Sequence, residues 1–368
     1  MTHVHHRLTA LRTTMADHGA DAFLISNAHN RRYFSGFTGS SGLLLITPEE
    51  AHVITDFRYY EQVQREAPAF SLHRQTGRLE EALGELLAEV RPSRVAFEAD
   101  DVTVAAFERW RQVAPQGTEW VSTEEVGKRL RATKDEEELN LLRRAQAITD
   151  AAFERFLVEV EPGRTERELA WRLEVILREL GADDVSFEII VAVGDHAALP
   201  HYHPHPGERP VQQNDIVLVD FGAQVGGYHA DMTRTFVVGE PDEMFTRVYQ
   251  ACLGALEAVE AAVRAGMGCR EADQVARAYL EDQGFGEHFG HSLGHGVGLE
   301  VHERPYLSFR APADDVIPTN SVITLEPGIY VPGWGGVRIE DLAIAREDGL
   351  DVLTQTTKAI DAWLRARG

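Results

Sequence analysis

The chain has 368 residues, 43% of them hydrophobic and 26% charged, which is ordinary for a globular protein and enough for two domains that each bury a core. Its formal net charge of -23 argues against nucleic acid or an anionic membrane as a partner, because phosphates attract basic surfaces. No apolar run approaches the roughly 20 residues that span a bilayer, and the N-terminus has no signal-peptide core, so we expect a cytoplasmic protein.

The cysteines do not indicate a redox or structural zinc site. Cys252 and Cys269 lie in helix-like segments without CxxC or Cys/His spacing. Such spacing argues against both a disulfide framework and thiolate-bound zinc. We expect two buried or idle thiols.

Residues 1–127 are predicted to form an α/β domain, because helix-like and strand-like segments alternate there. The predicted helices cover residues 8–18, 58–65, 79–90 and 102–113, and the predicted strands cover residues 22–25, 42–46, 52–54 and 94–97.

The most distinctive segment of this domain is NRRYFSGFTGSSG, residues 30–42. Aromatic residues interleave with glycine and serine, which predicts a loop. The loop either serves plain turn chemistry, which the sequence favours, or offers Tyr33, Phe34 and Phe37 to a ligand or a neighbouring subunit.

A second domain is predicted over residues 128–368, where the composition changes and a long amphipathic helix begins. A capping box at Thr133 and Glu136 is expected to open this helix, and another at Thr165 and Glu168 opens the next.

The layout of this domain recurs in weaker form. Helices predicted at residues 242–265 and 271–283 form a second pair, and each pair leads into a segment rich in His, Asp or Glu. Those segments are residues 187–236 and 288–341. The recurrence predicts an internal duplication that brings two polar hairpins face to face across a pseudo-twofold axis.

The first hairpin, VLVDFGAQVGGYHADMTRTF, carries two carboxylates inside apolar strand patterns. Pairing of its strands would place Asp220 near Asp231, and adjacent carboxylates repel unless a cation lies between them. A metal ion is one interpretation. The other is that one aspartate belongs to the turn and the second accepts hydrogen bonds from loop amides.

Two later segments add similar residues. GHSLGHGVGLEVHE contains His291, His295 and His302, and VITLEPGIYVPGWGGVRIED places Glu326 and Glu340 at the ends of two predicted strands. Four carboxylates and one imidazole in one domain form a hard, anionic set of ligands. Such a set suits manganese or another octahedral divalent ion better than structural zinc.

The motifs VDFGAQVGGYHADMTRTF, HSLGHGVG, LEPGIY and GVRIED resemble those of the pita-bread-fold metallopeptidases, which include methionine aminopeptidase, aminopeptidase P, prolidase and creatinase. RRYFSGFTGSSG and VITDFRYYEQ resemble the creatinase-type N-terminal domain. Several motifs in the family's order are far more specific than any one of them. The resemblance implies a creatinase-like α/β domain followed by an α+β pita-bread catalytic domain with an internal pseudo-twofold repeat.

The resemblance also implies a centre of two divalent ions, most simply Mn²⁺, with Co²⁺ or Zn²⁺ as alternatives. Its ligands would be Asp220, Asp231, His295, Glu326 and Glu340, with Asp231 and Glu340 bridging the ions. Glu326 would also accept a proton from a water that the ions share. Two ions held close together lower the pKa of such a water and polarise the scissile carbonyl.

Other residues match family positions around the substrate. His302 matches the histidine that stabilises the tetrahedral intermediate or protonates the leaving amine. His201 matches the family's Pro-His position, although the segment that follows is longer than in some relatives, which leaves His203 as a rival. His291 and Arg338 match pocket positions, and Arg338 is equally suited to support a ligand carboxylate.

Within the family the sequence favours the proline-specific members, whose substrates are peptides with proline at the second position. Methionine aminopeptidase lacks a comparable N-terminal domain, and creatinase dispenses with the ligand set. The chain is interpreted as an Xaa-Pro aminopeptidase, with Xaa-Pro dipeptidase, or prolidase, as the alternative. A non-catalytic peptide-binding module is a third hypothesis, against which the intact ligand set argues.

The preference for an aminopeptidase rests on one position. A dipeptidase must recognise the free carboxylate of its proline, usually with arginine. Several prolidases have arginine where this chain has Tyr306, and Arg304 lies two positions away. Tyr306 is therefore a predicted substrate-binding residue. The resemblance further implies a homodimer.

Overall fold

The computed structural model describes residues 2–203 and 209–367 of the chain. It consists of two compact units, Met1–Arg131 and Ala132–Gly368, which we call the N-terminal and C-terminal units. The sequence places the boundary four residues earlier, after Gly127 and therefore inside helix Val126–Ala132. Hydrogen bonds from Tyr33 to the Leu130 carbonyl and from Arg131 to Asn30 hold most of this helix in the N-terminal unit. We therefore place the boundary near its end.

The N-terminal unit is built on a six-stranded sheet with the order β4-β3-β2-β1-β5-β6. The strands are β1 (Ala22–Ile25), β2 (Leu43–Ile46), β3 (Ala51–Asp56), β4 (Ser71–Gln75), β5 (Arg94–Glu98) and β6 (Glu119–Thr123), and the helices are α1 (Thr2–Asp17), α2 (Ala28–Ser35), α3 (Tyr60–Glu66), α4 (Leu79–Val90), α5 (Val104–Val113) and α6 (Val126–Ala132). β1 and β2 are buried along their whole length, which fits their uninterrupted apolar runs AFLI and LLLI. The predicted α/β domain is confirmed.

Helix α2 corrects the predicted loop. The Asn27 side chain caps its N-terminus by accepting a hydrogen bond from the Asn30 amide, and Gly36 ends it in the left-handed conformation with φ 84°. The aromatic side chains of Tyr33, Phe34 and Phe37 are buried. They pack inside the N-terminal unit, and the predicted loop was wrong over residues 28–35 because a polar cap and a glycine enclose a short helix there. Contact with a ligand or a neighbouring subunit, the alternative that the sequence favoured less, stays a prediction.

The described residues of the C-terminal unit form sheets with the orders β11-β10-β7, β12-β9-β8, β14-β13-β15-β18-β19 and β16-β17. Its helices are α7 (Glu136–Glu159), α8 (Glu166–Glu179), α9 (Glu243–Ala262), α10 (Cys269–Asp282) and α11 (Ala362–Arg365), and its strands are β7 (Asp184–Val185), β8 (Ile190–Val193), β9 (Ile216–Phe221), β10 (Ala223–Val225), β11 (Tyr228–His229), β12 (Met232–Val237), β13 (Gly294–Gly296), β14 (Glu303–Leu307), β15 (Val322–Leu325), β16 (Gly328–Val331), β17 (Gly335–Arg338), β18 (Asp341–Arg346) and β19 (Gly349–Val352).

The internal duplication is confirmed by the order of these elements. Each half has a helix pair, α7 with α8 and α9 with α10, and further along the chain a strand, a ribbon of two paired strands and a second strand that pairs with the first. In the first half β9 pairs with β12 and the ribbon is β10–β11. In the second half β15 pairs with β18 and the ribbon is β16–β17.

The helix starts were predicted with mixed success. The capping box of α8 is formed by Thr165 and Glu168, as the sequence predicts. That of α7 is formed by Asp135 and Glu138, two residues later than predicted. Asp135 adopts the extended conformation that a capping residue needs, and its carboxylate accepts a hydrogen bond from the Glu138 amide.

Gly222 breaks the first hairpin into its two parts. A Cβ atom at this position would lie 1.8 Å from the carbonyl oxygen of Ala230, so only glycine allows the backbones to cross. The ribbon then turns through Gly226 and Gly227, both with positive φ, as in the two-residue turns of tight hairpins. Because of this break, β9 ends at Phe221 and β10 begins at Ala223.

Both cysteines are buried free thiols, as predicted. Among the described residues, no helix combines the length and the apolar character needed to cross a bilayer. A cytoplasmic location stays a prediction from the sequence.

The burial of the α2 aromatics predicts a stability difference. Phe34→Ala removes a ring that is 0% exposed and should destabilise the protein by about 3–5 kcal/mol, because it leaves a cavity. Phe57→Ala is the matched control, because Phe57 is 78% exposed. Urea unfolding followed by fluorescence would show a lower midpoint for Phe34→Ala alone. Equal midpoints for the two variants would contradict the packing role.

Candidate metal centre

The first pair of carboxylates lies where β9 and β12 meet the ribbon. Asp220 is the penultimate residue of β9 and pairs in register with Thr233 of β12. Asp231 immediately precedes β12, just after the break at Gly222. The predicted approach of the two aspartates on adjacent strands is therefore seen in the structure.

The second half presents its carboxylates in the same way. Glu326 immediately follows β15, and Glu340 immediately precedes β18, its paired strand. His295 is the central residue of β13, beside a register shift that separates it from Gly296. A bulge of this kind re-aims a side chain.

The two halves bring these groups together. Ligand atoms of Asp231, His295 and Glu340 all lie within 4.8 Å of one another. His295 Nε2 is 3.7 Å from Asp231 Oδ2 and 3.4 Å from Glu326 Oε1. Asp220 faces the same cluster and acts electrostatically on Asp231, Glu326 and Glu340. Four carboxylates and one imidazole therefore share one small volume.

Burial and mutual repulsion make this cluster costly when all its acids are charged. Burial raises the pKa of Asp231 well above its usual range, and the neighbouring carboxylates, Glu340 first, raise it further. The pKa of Glu340 is raised in the same way, by burial first and then by Glu326 and Asp220. Burial raises the pKa of Glu326 to about 8. The nearby Arg338, which lowers each of these pKa values, offsets only part of the effect of burial and repulsion.

His295 is prepared to act as a neutral ligand. Burial, followed by the nearby His302, lowers its pKa to about 3. Its Nδ1 lies 3.1 Å from the Gly296 carbonyl oxygen, to which it donates as the neutral tautomer. Nε2 then directs a lone pair towards the carboxylates of Asp231 and Glu326, a contact that favours a cation between them.

These residues fit a divalent metal centre. Asp220 Oδ1 is buried without a hydrogen-bond partner among the described residues, although buried carboxylate oxygens are normally satisfied. The cluster offers carboxylate oxygens and one imidazole nitrogen, the donors that hard and intermediate divalent ions accept. Metal binding would satisfy the unpartnered oxygen and neutralise the repulsion at once.

Arg338, the last residue of β17, is fully engaged within the protein. Nη2 donates to Asp220 Oδ2 at 2.6 Å, and Nε donates to Thr233 Oγ1 at 2.9 Å. Nη1 donates to Tyr330 Oη at 2.9 Å and to the Pro200 carbonyl at 3.3 Å. This geometry favours the second of the two roles proposed from the sequence, support of a ligand carboxylate.

The hydroxyl of Tyr330 links this arginine to His291. It lies 2.9 Å from His291 Nε2, while His291 Nδ1 lies 2.8 Å from the Ser292 carbonyl oxygen. Burial first, and then the Arg338 cation, lowers the pKa of His291 to about 4, so the ring is neutral at pH 7. Tyr330 therefore accepts from Arg338 and donates to His291, which fixes the orientation of that ring at the cavity wall.

A cavity of about 450 Å³ adjoins the cluster. Its walls include every residue that the sequence proposes for the site, together with the rival His203: His201, His203, Asp220, Asp231, His291, His295, His302, Tyr306, Glu326, Arg338 and Glu340. Their individual roles stay predictions.

The cavity histidines differ in their surroundings. His201 and His302 act electrostatically on Asp220, and the ring centroids of His302 and His295 are 4.2 Å apart. His203 instead lies 3.4 Å from the exposed carboxylate of Glu188. The geometry favours His201 over His203 as the histidine next to the carboxylate cluster.

Sequence reasoning missed three residues that support the cluster. Thr233 Oγ1 donates to Glu340 Oε2 at 2.6 Å, Thr324 Oγ1 donates to Glu326 Oε1 at 3.3 Å, and Tyr330 joins Arg338 to His291. Thr233 and Thr324 each lie two residues from a carboxylate of the cluster, on the same face of the strand. A polar residue at that spacing in an apolar strand was the available signal.

Comparisons with known proteins agree with this architecture. Residues 140–347 match the model of metallopeptidase family M24, and residues 7–133 match the creatinase/prolidase N-terminal domain. Among solved structures, the chain resembles an Xaa-Pro dipeptidase from Bacillus anthracis, with a TM-score of 0.93 and 38% identity over 97% of this chain and 99% of the other.

Of two further relatives, one is named as an aminopeptidase and the other as a dipeptidase. An X-Pro aminopeptidase from Thermotoga maritima has a TM-score of 0.86 and 36% identity, over 93% of this chain and 97% of the other. An Xaa-Pro dipeptidase of Pyrococcus furiosus is 33% identical over 96% of this chain and 99% of its own length. The chain belongs to metallopeptidase family M24 and carries the creatinase/prolidase N-terminal domain of its proline-specific members.

Proposed function

We propose that the protein is an Xaa-Pro dipeptidase that depends on two divalent metal ions, most simply Mn²⁺. The observation that carries the metallopeptidase part is the buried cluster of four carboxylates and a neutral imidazole at the wall of the cavity. The dipeptidase part is supported by the activities named for the Bacillus anthracis and Pyrococcus furiosus relatives. They favour the alternative over the aminopeptidase that the sequence motifs suggested.

The argument from Tyr306 was too narrow because it rested on a single position. Tyr306 lies on β14 at the cavity wall and is 38% exposed. Other polar groups line the same wall and can share contact with a proline carboxylate. The sequence raised Arg304 as a nearby arginine that could bind the proline carboxylate. In the structure its Nη1 pairs instead with Asp315 at 2.8 Å. We retain Tyr306 and His291 as proposed substrate contacts.

An Xaa-Pro aminopeptidase remains a second candidate because of one specific feature. Arg338 is the only lysine or arginine among the described residues that line the cavity, and its donors contact protein groups. A longer peptide, which has no carboxylate at this position, needs no such cation. The resemblance to the Thermotoga maritima enzyme supports the same reading.

The chain's own residues have distinct proposed tasks. Asp220, Asp231, His295, Glu326 and Glu340 hold the metal ions. When bound, such ions activate water and polarise the scissile carbonyl. Glu326, whose pKa burial brings near neutrality, holds and moves the proton of the attacking water.

The cavity histidines complete the proposed site. His302 lies beside His295 and faces the cavity, where it can donate to developing negative charge on the substrate or to the leaving amine. His201 contributes a second imidazole near Asp220. Substrates are peptides with proline at the second position, and a homodimer is the proposed assembly.

Removal of one proposed ligand tests the metal centre. Asp231→Asn should abolish binding of at least one ion and lower kcat/KM about 100-fold or more, because even partners of metal ligands contribute 10–100-fold. Asp361→Asn is the control, since Asp361 pairs with Arg365 on the surface of helix α11. Elemental analysis and Xaa-Pro hydrolysis are measured together. Unchanged metal content and activity in Asp231→Asn would contradict the site.

Three peptides separate the two candidate activities. The dipeptide Ala-Pro should be hydrolysed about 10- to 100-fold better than Ala-Pro-amide or Ala-Pro-Ala, because only the dipeptide offers a carboxylate on its proline for a charge-assisted hydrogen bond. The measurement is kcat/KM for each peptide with added Mn²⁺. A preference for Ala-Pro-Ala would make the protein an aminopeptidase.

Arg338→Lys tests whether this residue supports the metal centre or binds substrate. Lysine keeps the charge but cannot hold Asp220, Thr233 and Tyr330 together, so metal affinity should fall about 10- to 100-fold. KM should change equally for Ala-Pro and Ala-Pro-amide once metal is saturating. A KM increase confined to Ala-Pro would show instead that Arg338 binds the proline carboxylate.

A further inference from the structure

His201 lies on a segment that is exposed and buried at alternate residues. His201 and His203 are exposed, while Tyr202 between them is buried. This alternation directs Tyr202 away from the side on which its two neighbours are exposed. The orientation of His201 therefore depends on what holds Tyr202.

The buried group that holds Tyr202 is the carboxylate of Glu166, the first residue of helix α8. The Tyr202 hydroxyl donates to Glu166 Oε2 at 2.6 Å. Glu166 Oε1 accepts from the Val193 amide at 2.8 Å and lies 2.8 Å from His196 Nδ1. Glu166 is 0% exposed and faces donors from three points of the segment that runs from the end of β8 to Tyr202.

The rest of the segment is packed around this carboxylate. The rings of His196 and Tyr202 stack with centroids 4.6 Å apart. The backbone amide of Tyr202 donates to the Leu199 carbonyl at 3.1 Å, and Arg338 donates to the Pro200 carbonyl. Gly336 allows a close approach, since a Cβ atom there would lie 2.2 Å from the Ala197 carbonyl oxygen.

From these contacts we infer that Glu166 and Tyr202 are positioning residues that set the place of His201 in the cavity. Neither residue is among those that line the described cavity, so they act through His201 and not on the substrate. Buried hydrogen bonds that converge on one side chain are directional, which suits them to hold a loop residue against a rigid helix. The role of His201 in this inference rests on the proposed function. The hydrogen bonds that join Glu166 to Val193, His196 and Tyr202, which we call the anchor, are independent of it.

Tyr202→Phe removes only the hydroxyl that reaches Glu166 and keeps the ring that stacks on His196. We expect kcat/KM for Ala-Pro to fall about 10- to 100-fold, the cost of a misplacement of about 1 Å, with metal content unchanged. Tyr249→Phe is the matched control, because Tyr249 is also buried, its hydroxyl donates to the Lys358 carbonyl at 3.2 Å, and it is not among the described residues that line the cavity. It should leave kcat/KM unchanged. A wild-type value for Tyr202→Phe would overturn the inference.

A double-mutant cycle distinguishes positioning from general destabilisation. If Tyr202 acts through His201, Tyr202→Phe should cause no further loss in a His201→Ala background. An equal loss in both backgrounds would overturn the inference. Glu166→Gln serves as a second variant and should reproduce the same pattern, because one amide oxygen cannot replace both carboxylate oxygens as acceptors.

Imidazole NMR of the ¹⁵N-histidine-labelled protein, loaded with diamagnetic Zn²⁺ so that Mn²⁺ does not broaden the signals, gives a readout that does not need activity. The His201 signals are identified by their loss in His201→Ala. They should shift or broaden in Tyr202→Phe and stay unchanged in Tyr249→Phe. Unchanged signals in Tyr202→Phe would overturn the anchor itself. Absence of Xaa-Pro hydrolysis by the wild-type protein, with the expected shifts, would instead overturn the proposed function alone.

Discussion

The C-terminal unit is organised around an electrostatic problem, the enclosure of four carboxylates in one small cluster, two of them buried and two partly exposed. Burial and mutual repulsion raise the pKa values of Asp231, Glu326 and Glu340, and the nearby Arg338 offsets only part of this cost. An uncompensated buried charge costs several kcal/mol, so a cluster of this kind is stable only when protons or cations neutralise it. Because the neutral imidazole of His295 directs its lone pair at the carboxylates, divalent cations are favoured over protons as the species that neutralises the cluster.

The duplicated fold is what brings these charges together. In each half a ribbon lies between two paired strands, and one carboxylate lies near the end of the first strand and another near the start of the second. Hydrogen bonds then join the halves: the Glu340 amide donates to the Thr233 carbonyl, and Thr235 donates to the Arg338 carbonyl. Neither half alone contains the full set of proposed ligands. The rigidity of the paired strands holds the donors in place before any ion binds.

Much of this arrangement can be predicted from the sequence because it follows local rules. Apolar runs interrupted by glycine identify the strand ends, and the proposed ligands Asp220 and Glu326 stand at those ends. The recurrence of the pattern indicates the duplication. Local rules fail where a short helix is hidden by its composition: α2 combines aromatics and polar residues that read as a loop until its Asn27 and Gly36 caps are seen.

Long-range contacts are the part that the sequence does not disclose. The sequence pattern around Arg338 is compatible with two roles, a substrate contact or a partner of Asp220. Only the fold shows which groups its N–H donors reach. Tyr202 and Glu166 are 36 positions apart, so no periodicity connects them. The preference between dipeptides and longer peptides depends on the whole cavity wall, which is why one substitution at Tyr306 was a poor guide.

The most direct test of the central claim is a crystal structure of the protein prepared with Mn²⁺, with anomalous diffraction data collected above and below the manganese absorption edge. We predict two anomalous peaks about 3.5–4 Å apart, enclosed by Asp220, Asp231, His295, Glu326 and Glu340. A cluster without an anomalous peak, with its carboxylates held by hydrogen bonds to one another, would contradict the account.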